Sequence, residues 1–163
     1  LETLPHCTKI RGNHEDFFIN GKCDSDDYLA NEFFNHCYKD FEEVSTILAY
    51  EKEIQFEDFI CTHTLQDKYI FEDTDLTLVK NYIIGHSHRQ YKIDYNGYVL
   101  LNPGSVGQNR KFINEINFMI YETTTHNVDF CSVLYNVNSV IDRMVVMEYP
   151  EICVDYYRNK PRK

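Results

Sequence analysis

The chain has 163 residues, enough for one domain with a real core, and its 43% hydrophobic and 15% aromatic content excludes disorder. Sixteen Lys and Arg against 26 Asp and Glu give a formal net charge of −10, which excludes a long nucleic acid as the main partner, because phosphate backbones are bound by basic stripes. No apolar run approaches the ~20 residues of a membrane span.

The predicted elements begin at residues 8–10, a short β-prone run that leads into Arg11-Gly12-Asn13-His14-Glu15. A strand ending in a Gly-Asn turn is expected there. Between Gly21 and Gly85 there is neither Gly nor Pro. Ser25 is a suitable N-cap, and Leu29, Phe33, Cys37, Phe41, Val44 and Leu48 follow at helical spacing. They predict one core-facing helix, or two broken near Lys39-Asp40. A helical cap-like insertion over about residues 22–50 follows from the same pattern. The wider stretch Asp16 to Glu57 is expected to act as a flap or cap beside the site.

Glu53–Phe56 and Asp58–Thr62 read as a strand pair that ends at His63. Asp75–Lys80 is expected to form a helical turn or two. Tyr82-Ile83-Ile84 is an all-apolar strand of the kind buried on both faces, and it runs into Gly85-His86-Ser87-His88. A hairpin follows, Gln90–Tyr95 and Tyr98–Leu101 around Asn96-Gly97, the pair that type I′ turns prefer. Asn102–Gly107 is a loop. A second hairpin is expected over Ile116–Glu122 and Val128–Tyr135. The tail reads as a helix with Val140, Met144 and Met147 on one face, broken at Pro150 before a last amphipathic stretch. The six cysteines lie in apolar stretches without a C-x-x-C pair, as the buried free thiols of a reduced, cytoplasmic protein do.

The polar residues that carry chemistry fall at particular places. Asn13, His63 and His86 each follow directly on a short β-prone run, and ligands at the carboxyl ends of strands converge on one crevice in α/β folds. In an extended loop, His86 and His88 point to the same side, where two imidazoles reach one metal or two metals about 4 Å apart. His6, His36 and His126 have no such setting and read as structural or solvent-facing. Arg11, Arg89 and Arg110 lie beside the motifs and are candidates to meet a phosphate, although a solvated surface role is the simpler reading of each.

Gly12-Asn13-His14-Glu15, a His at a strand end and Gly85-His86-Ser87-His88, in this order, resemble the signature of the calcineurin-like metallophosphoesterases. Leu101–Gln108 is similar to a loop of the small bacterial and archaeal phosphodiesterase branch, as are Tyr135-Asn136-Val137 and Tyr149-Pro150-Glu151. The resemblance spans nearly the whole chain. It implies an α/β/β/α four-layer sandwich, lacking here its first βαβ portion. It implies that Asn13, His63 and His86 hold one metal and His88 the other. It implies that His14 is catalytic without being a ligand, and stabilises the transition state or protonates the leaving oxygen. The implied reaction is hydrolysis of a small phosphoester or nucleotide by a hydroxide bridging two divalent ions. The donor set points to Mn²⁺ first, with Fe, Zn²⁺ or Ni²⁺ also suited. Gly12 is expected to let the chain turn sharply, and Gly104 and Gly107 to keep their loop close to the site.

The family pattern opens with Asp-x-His and then Gly-Asp-x-x-Asp, and neither occurs between Leu1 and Gly12. Those carboxylates compensate the charge of a metal pair. Three explanations stand open: upstream residues that carry them, a non-catalytic scaffold on the same fold, or a partner chain that supplies them. Leu1–Pro5 reads as the end of an element already under way, which favours the first.

Overall fold

A computed structural model describes residues 7–163; Leu1–Pro5 and His6, with the expectations placed on them, lie outside the described residues. The strand expected at residues 8–10 is a single parallel bridge, Ile10 to Glu51, closed by the Arg11 N–H donating to the Glu51 carbonyl at 2.7 Å.

Helix α1, Asn13–Asn20, starts where a turn was expected. The local chemistry explains it. The Glu15 carboxylate accepts from the Gly12 N–H at 2.8 Å, Glu15 and Asp16 place acid in the first turn, and Gly21 ends the helix in the left-handed region at φ 65°. Helices α2, Tyr28–Tyr38, and α3, Val44–Leu48, confirm a break near Lys39-Asp40. The cap of α2 is Asp27, whose side chain accepts from the Leu29 N–H at 2.9 Å, while Ser25 Oγ accepts from the Asp27 N–H.

The predicted apolar stripe is only partly core. Cys37 and Leu48 are exposed, and Phe34 and Ile47 are the buried residues. Helix α2 has two partners, which a single stripe cannot serve. Leu29 and Phe33 pack towards the C-terminal helices, whereas Phe34, Tyr38 and Phe41 surround Phe18 of α1.

Strands β1, Glu53–Phe56; β2, Phe59–Thr62; β3, Asn81–Ile83; β4, Gln90–Tyr95; and β5, Tyr98–Pro103, form one mixed sheet in the order β1-β2-β3-β5-β4. The three central strands β2, β3 and β5 are parallel, and β1 and β4 are antiparallel edges. The β4–β5 turn has φ 49° at Asn96 and 84° at Gly97, as a type I′ turn requires. Strands β6, Glu115–Glu122, and β7, Asn127–Leu134, make a second, two-stranded sheet.

The sheets face each other. Phe59, Cys61 and Leu101 of the large sheet pack against Met119, Tyr121 and Val128 of the small one. The other face of the large sheet, with Ile84, Tyr91 and Leu100, is covered by Ile70 and Leu78 from the 64–80 segment. The helix expected at Asp75–Lys80 is absent there. Leu76 and Leu78 alternate with exposed Asp75, Thr77 and Val79, a period of two that suits extended chain.

Helices α4, Val137–Val146, and α5, Glu151–Asn159, flank Pro150 as expected and share a core of Ile113, Val137, Ile141, Met144, Cys153 and Val154. Met147 is exposed beyond the end of α4. All six cysteines are free; Cys23, Cys61 and Cys153 are buried, and Cys7 and Cys37 are exposed, contrary to the expectation of burial throughout. Among the described residues no helix is long and apolar enough to cross a membrane.

Leu101 is fully buried in the sheet-to-sheet core. Leu101→Ala is expected to lower unfolding free energy by about 2–5 kcal/mol in a urea titration. Val106→Ala, at an exposed loop position, is expected to change it by less than about 0.5 kcal/mol.

Candidate metal centre

The parallel register positions the site. Strand β2 delivers His63 and strand β3 delivers Gly85 and His86 at the same sheet end, where the Gly85 N–H donates to the His63 carbonyl at 3.0 Å. Helix α1 brings its first residue, Asn13, to the same point. His63 Nε2 lies 2.8 Å from Asn13 Oδ1 and 2.9 Å from His86 Nδ1, and His86 Nδ1 lies 3.2 Å from Asn13 Oδ1.

These three atoms form a closed triangle, and the hydrogens available do not satisfy it. The amide oxygen only accepts, and each imidazole nitrogen carries at most one proton. At least one edge is therefore left without a hydrogen bond. Metal–ligand bonds of about 2.1 Å at right angles place neighbouring donors about 3 Å apart, which is the spacing found. The donor set thus fits a divalent cation. Among the described residues no three His, Cys, Asp or Glu side chains converge on a metal position; the third member here is an asparagine amide.

The electrostatics favour neutral imidazoles, each with one ring lone pair available to a metal. Burial lowers the pKa of His63, partly offset by Glu15. Burial, reinforced by His63, His88, His14 and Arg110, takes His86 down to about 4. Both imidazoles are neutral at pH 7. His88 is lowered chiefly by burial too. Its Nδ1 donates to the Gln108 carbonyl at 2.8 Å, which fixes the tautomer with the lone pair on Nε2, as an oriented ligand has.

Gly12 matters for space, not for φ. Its backbone is extended, at φ −109°, so the expected sharp turn is not its role. A Cβ there would sit 2.7 Å from two atoms of the His63 ring. Gly104 is left-handed at φ 88° and lies against Asn117, whereas a Cβ at Gly107 meets nothing within 4 Å, so Gly107 is not needed for close approach.

The His86-Ser87-His88 segment is not extended. His86 and His88 are both left-handed, at φ 62° and 56°, and the Ser87 N–H turns back to the Gly85 carbonyl at 2.7 Å. Such positions cost about 1–3 kcal/mol each and persist only where the surroundings impose them. Asn102 imposes them. Its buried Nδ2 donates to the Gly85 carbonyl at 2.7 Å and to Ser87 Oγ at 3.0 Å, and its Oδ1 accepts from the Gly104 N–H. Sequence reading gave Asn102 no role. The signal was present: it too follows an apolar pair, Leu100-Leu101, at the end of a parallel strand. The Gln108 contact is made by backbone and has no sequence signal.

A cleft of ≈ 860 Å³ opens beside the triangle, bordered by Asn13, His14, His86, Gln108 and Arg110. The His14 pKa is lowered mainly by its partial burial, with Glu15 opposing and Arg110 reinforcing. Arg11 instead pairs with Asp16 at 3.0 Å and borders a separate recess of ≈ 220 Å³ with His63. Arg89 lies over the Phe71 ring, 5.3 Å from its centroid. Asp16 and Asp67 border both recesses.

The sequence pattern of the calcineurin-like phosphoesterase superfamily domain matches residues 1–126. The chain belongs to that superfamily. Its fold is similar to a metallophosphoesterase from Sphaerobacter thermophilus, with TM-score 0.69 and 18% identity, over 91% of this chain and 75% of that one. It is also similar to a hypothetical protein from Pyrococcus horikoshii, with TM-score 0.78 and 12% identity, over 96% of this chain and 74% of that one. Comparison with curated proteins gave no match. The superfamily's general chemistry is metal-dependent phosphoester hydrolysis, and the α/β fold with a central mixed sheet agrees with it.

Gly12→Ala forces the His63 ring out of the triangle. It is expected to weaken binding of a divalent cation at least about tenfold by isothermal titration, while Gly107→Ala leaves binding unchanged. Equal affinities in the two variants would remove Gly12 from the site.

Proposed function

We propose that this protein hydrolyses small phosphoesters, as a phosphodiesterase or phosphatase, using two divalent cations with Mn²⁺ first. The observation that carries this is the Asn13–His63–His86 triangle opening onto the same cleft as His14 and Arg110. Asn13, His63 and His86 would hold one cation, and His88, with its Nε2 lone pair free, belongs to the second. Divalent cations supply charge neutralisation at the phosphoryl group and a water activated at neutral pH.

The chain's own residues do the rest. Arg110 makes no ion pair among the described residues and so keeps its five donors for phosphoryl oxygens. His14 stands at the mouth of α1, held in the cleft wall by edge contact with Phe17 at 5.6 Å. From there its ring N–H assists the departing alkoxide. Among the described residues no Ser or Cys stands as an activated nucleophile, so direct transfer to water is the reading, without a phosphoenzyme.

A second reading is a metal-holding scaffold without turnover. One observation favours it: among the described residues no carboxylate joins the histidines to compensate a second charge.

Release of nitrophenol from bis-nitrophenyl phosphate with Mn²⁺ separates the two. Turnover is expected. His14→Ala is expected to lower kcat at least about 100-fold while bound Mn²⁺ stays unchanged. Asn13→Ala and His86→Ala are expected to lose the metal. Metal loss in His14→Ala to the same degree would contradict its role. No turnover with any first-row divalent metal would leave the scaffold.

A further inference from the structure

The cleft is far larger than a phosphoryl group needs, and at ≈ 860 Å³ it falls in the range of pockets that enclose whole organic ligands. Its wall is aromatic. Phe17, Phe33, Tyr69, Tyr156 and Tyr157, from α1, α2, the 64–80 segment and α5, all border it together with Arg110. Phe33, Tyr156 and Tyr157 meet edge to face, with centroids 5.7–6.4 Å apart, and back onto the helical core. Core packing accounts for these three.

It does not account for Tyr69. This ring belongs to none of the three core clusters, is 53% exposed, and has no hydrogen bond from its hydroxyl among the described residues. Yet it is fixed in place. It lies on the His86 ring at 4.0 Å between centroids and 31° between planes, and runs nearly parallel to Phe71 at 8°. The residues before it, Gln66 and Asp67, are both left-handed, at φ 55° and 53°. The residue after it, Ile70, is buried, and its carbonyl accepts the Tyr91 hydroxyl at 2.5 Å. Backbone strain and an anchored neighbour thus hold an exposed ring against His86, at one edge of the cleft.

We propose that Tyr69 is a specificity-determining platform, on which the cleft stacks the nucleobase of a nucleotide substrate whose phosphoryl group lies at Asn13, His86 and Arg110. This rests on reading the site as one that binds phosphoesters. Asp16, Asp24, Asp27 and Asp67 also border the cleft, and Arg110, which makes no ion pair among the described residues, is the one Lys or Arg side chain bordering it that could meet a phosphoryl group. It borders the same cleft as His14, His86, Tyr156 and Tyr157. A smaller phosphoester would leave that wall and Tyr69 uncovered.

The test compares AMP with ribose 5-phosphate, which share the phosphoryl group and differ in the base. Binding to the Mn²⁺-loaded protein is measured by isothermal titration. AMP is expected to bind at least about tenfold tighter, as base stacking on an aromatic ring gives. Tyr69→Leu is expected to reduce the ratio of the two affinities at least about fivefold. Tyr69→Phe is expected to keep it, since the hydroxyl has no partner. Equal affinities for the two ligands, or a ratio unchanged in Tyr69→Leu, would overturn the platform. Turnover of bis-nitrophenyl phosphate is measured in parallel. An AMP preference without turnover upholds the platform and sinks hydrolysis. Turnover without an AMP preference does the reverse. Failure of both ligands to bind overturns the platform, and absence of turnover beside it overturns hydrolysis as well.

Discussion

Three lone-pair-bearing atoms, Asn13 Oδ1, His63 Nε2 and His86 Nδ1, lie within 3.2 Å of one another, and no arrangement of their own protons satisfies all three edges. Much of the surrounding structure holds this contact together. Parallel strands bring the two histidines to one sheet end, and the start of a helix brings the asparagine. Gly12 has no side chain because the His63 ring occupies its place. Burial and mutual repulsion keep the imidazoles neutral, with His86 at about 4. Each feature would be a cost in a purely structural core. Together they make sense where a cation completes the triangle.

Of the eight non-glycine residues in the left-handed region among the described residues, Gln66, Asp67, His86 and His88 lie in two loops at the site, and Glu57, Asn96, His126 and Glu148 lie in turns elsewhere. The remainder of the sheet is regular, with Leu100 and Leu101 fully buried on opposite faces of β5. The rigid sandwich therefore supports strained loops through a few side chains. Asn102 clamps the His86 loop, and Tyr91 anchors the segment after Tyr69. This is the pattern of a site preorganised by its second layer.

Much of this was legible in the sequence. The hairpins, the short strand before Gly85 and the break before α5 follow from periodicity and turn residues, although in that strand Tyr82 and Ile83 are only half-buried. Polar residues directly after β-prone runs marked His63 and His86, and the same rule would have marked Asn102. Three things were not legible. The helix start at Asn13 depends on a Glu15-to-Gly12 contact that competes with a turn reading. The two-sided packing of α2 hides Phe34 from a single-stripe analysis. The left-handed histidines are imposed by a tertiary clamp, and no local propensity announces them.

The family gives metal-dependent phosphoester hydrolysis in general terms, and the geometry of this chain adds where a cation fits. Anomalous diffraction at the manganese edge, from crystals equilibrated with Mn²⁺, tests that most directly. The account predicts a peak bonded to Asn13 Oδ1, His63 Nε2 and His86 Nδ1 together. Full-occupancy Mn²⁺ elsewhere, with the three atoms still in direct contact and no metal among them, would contradict it.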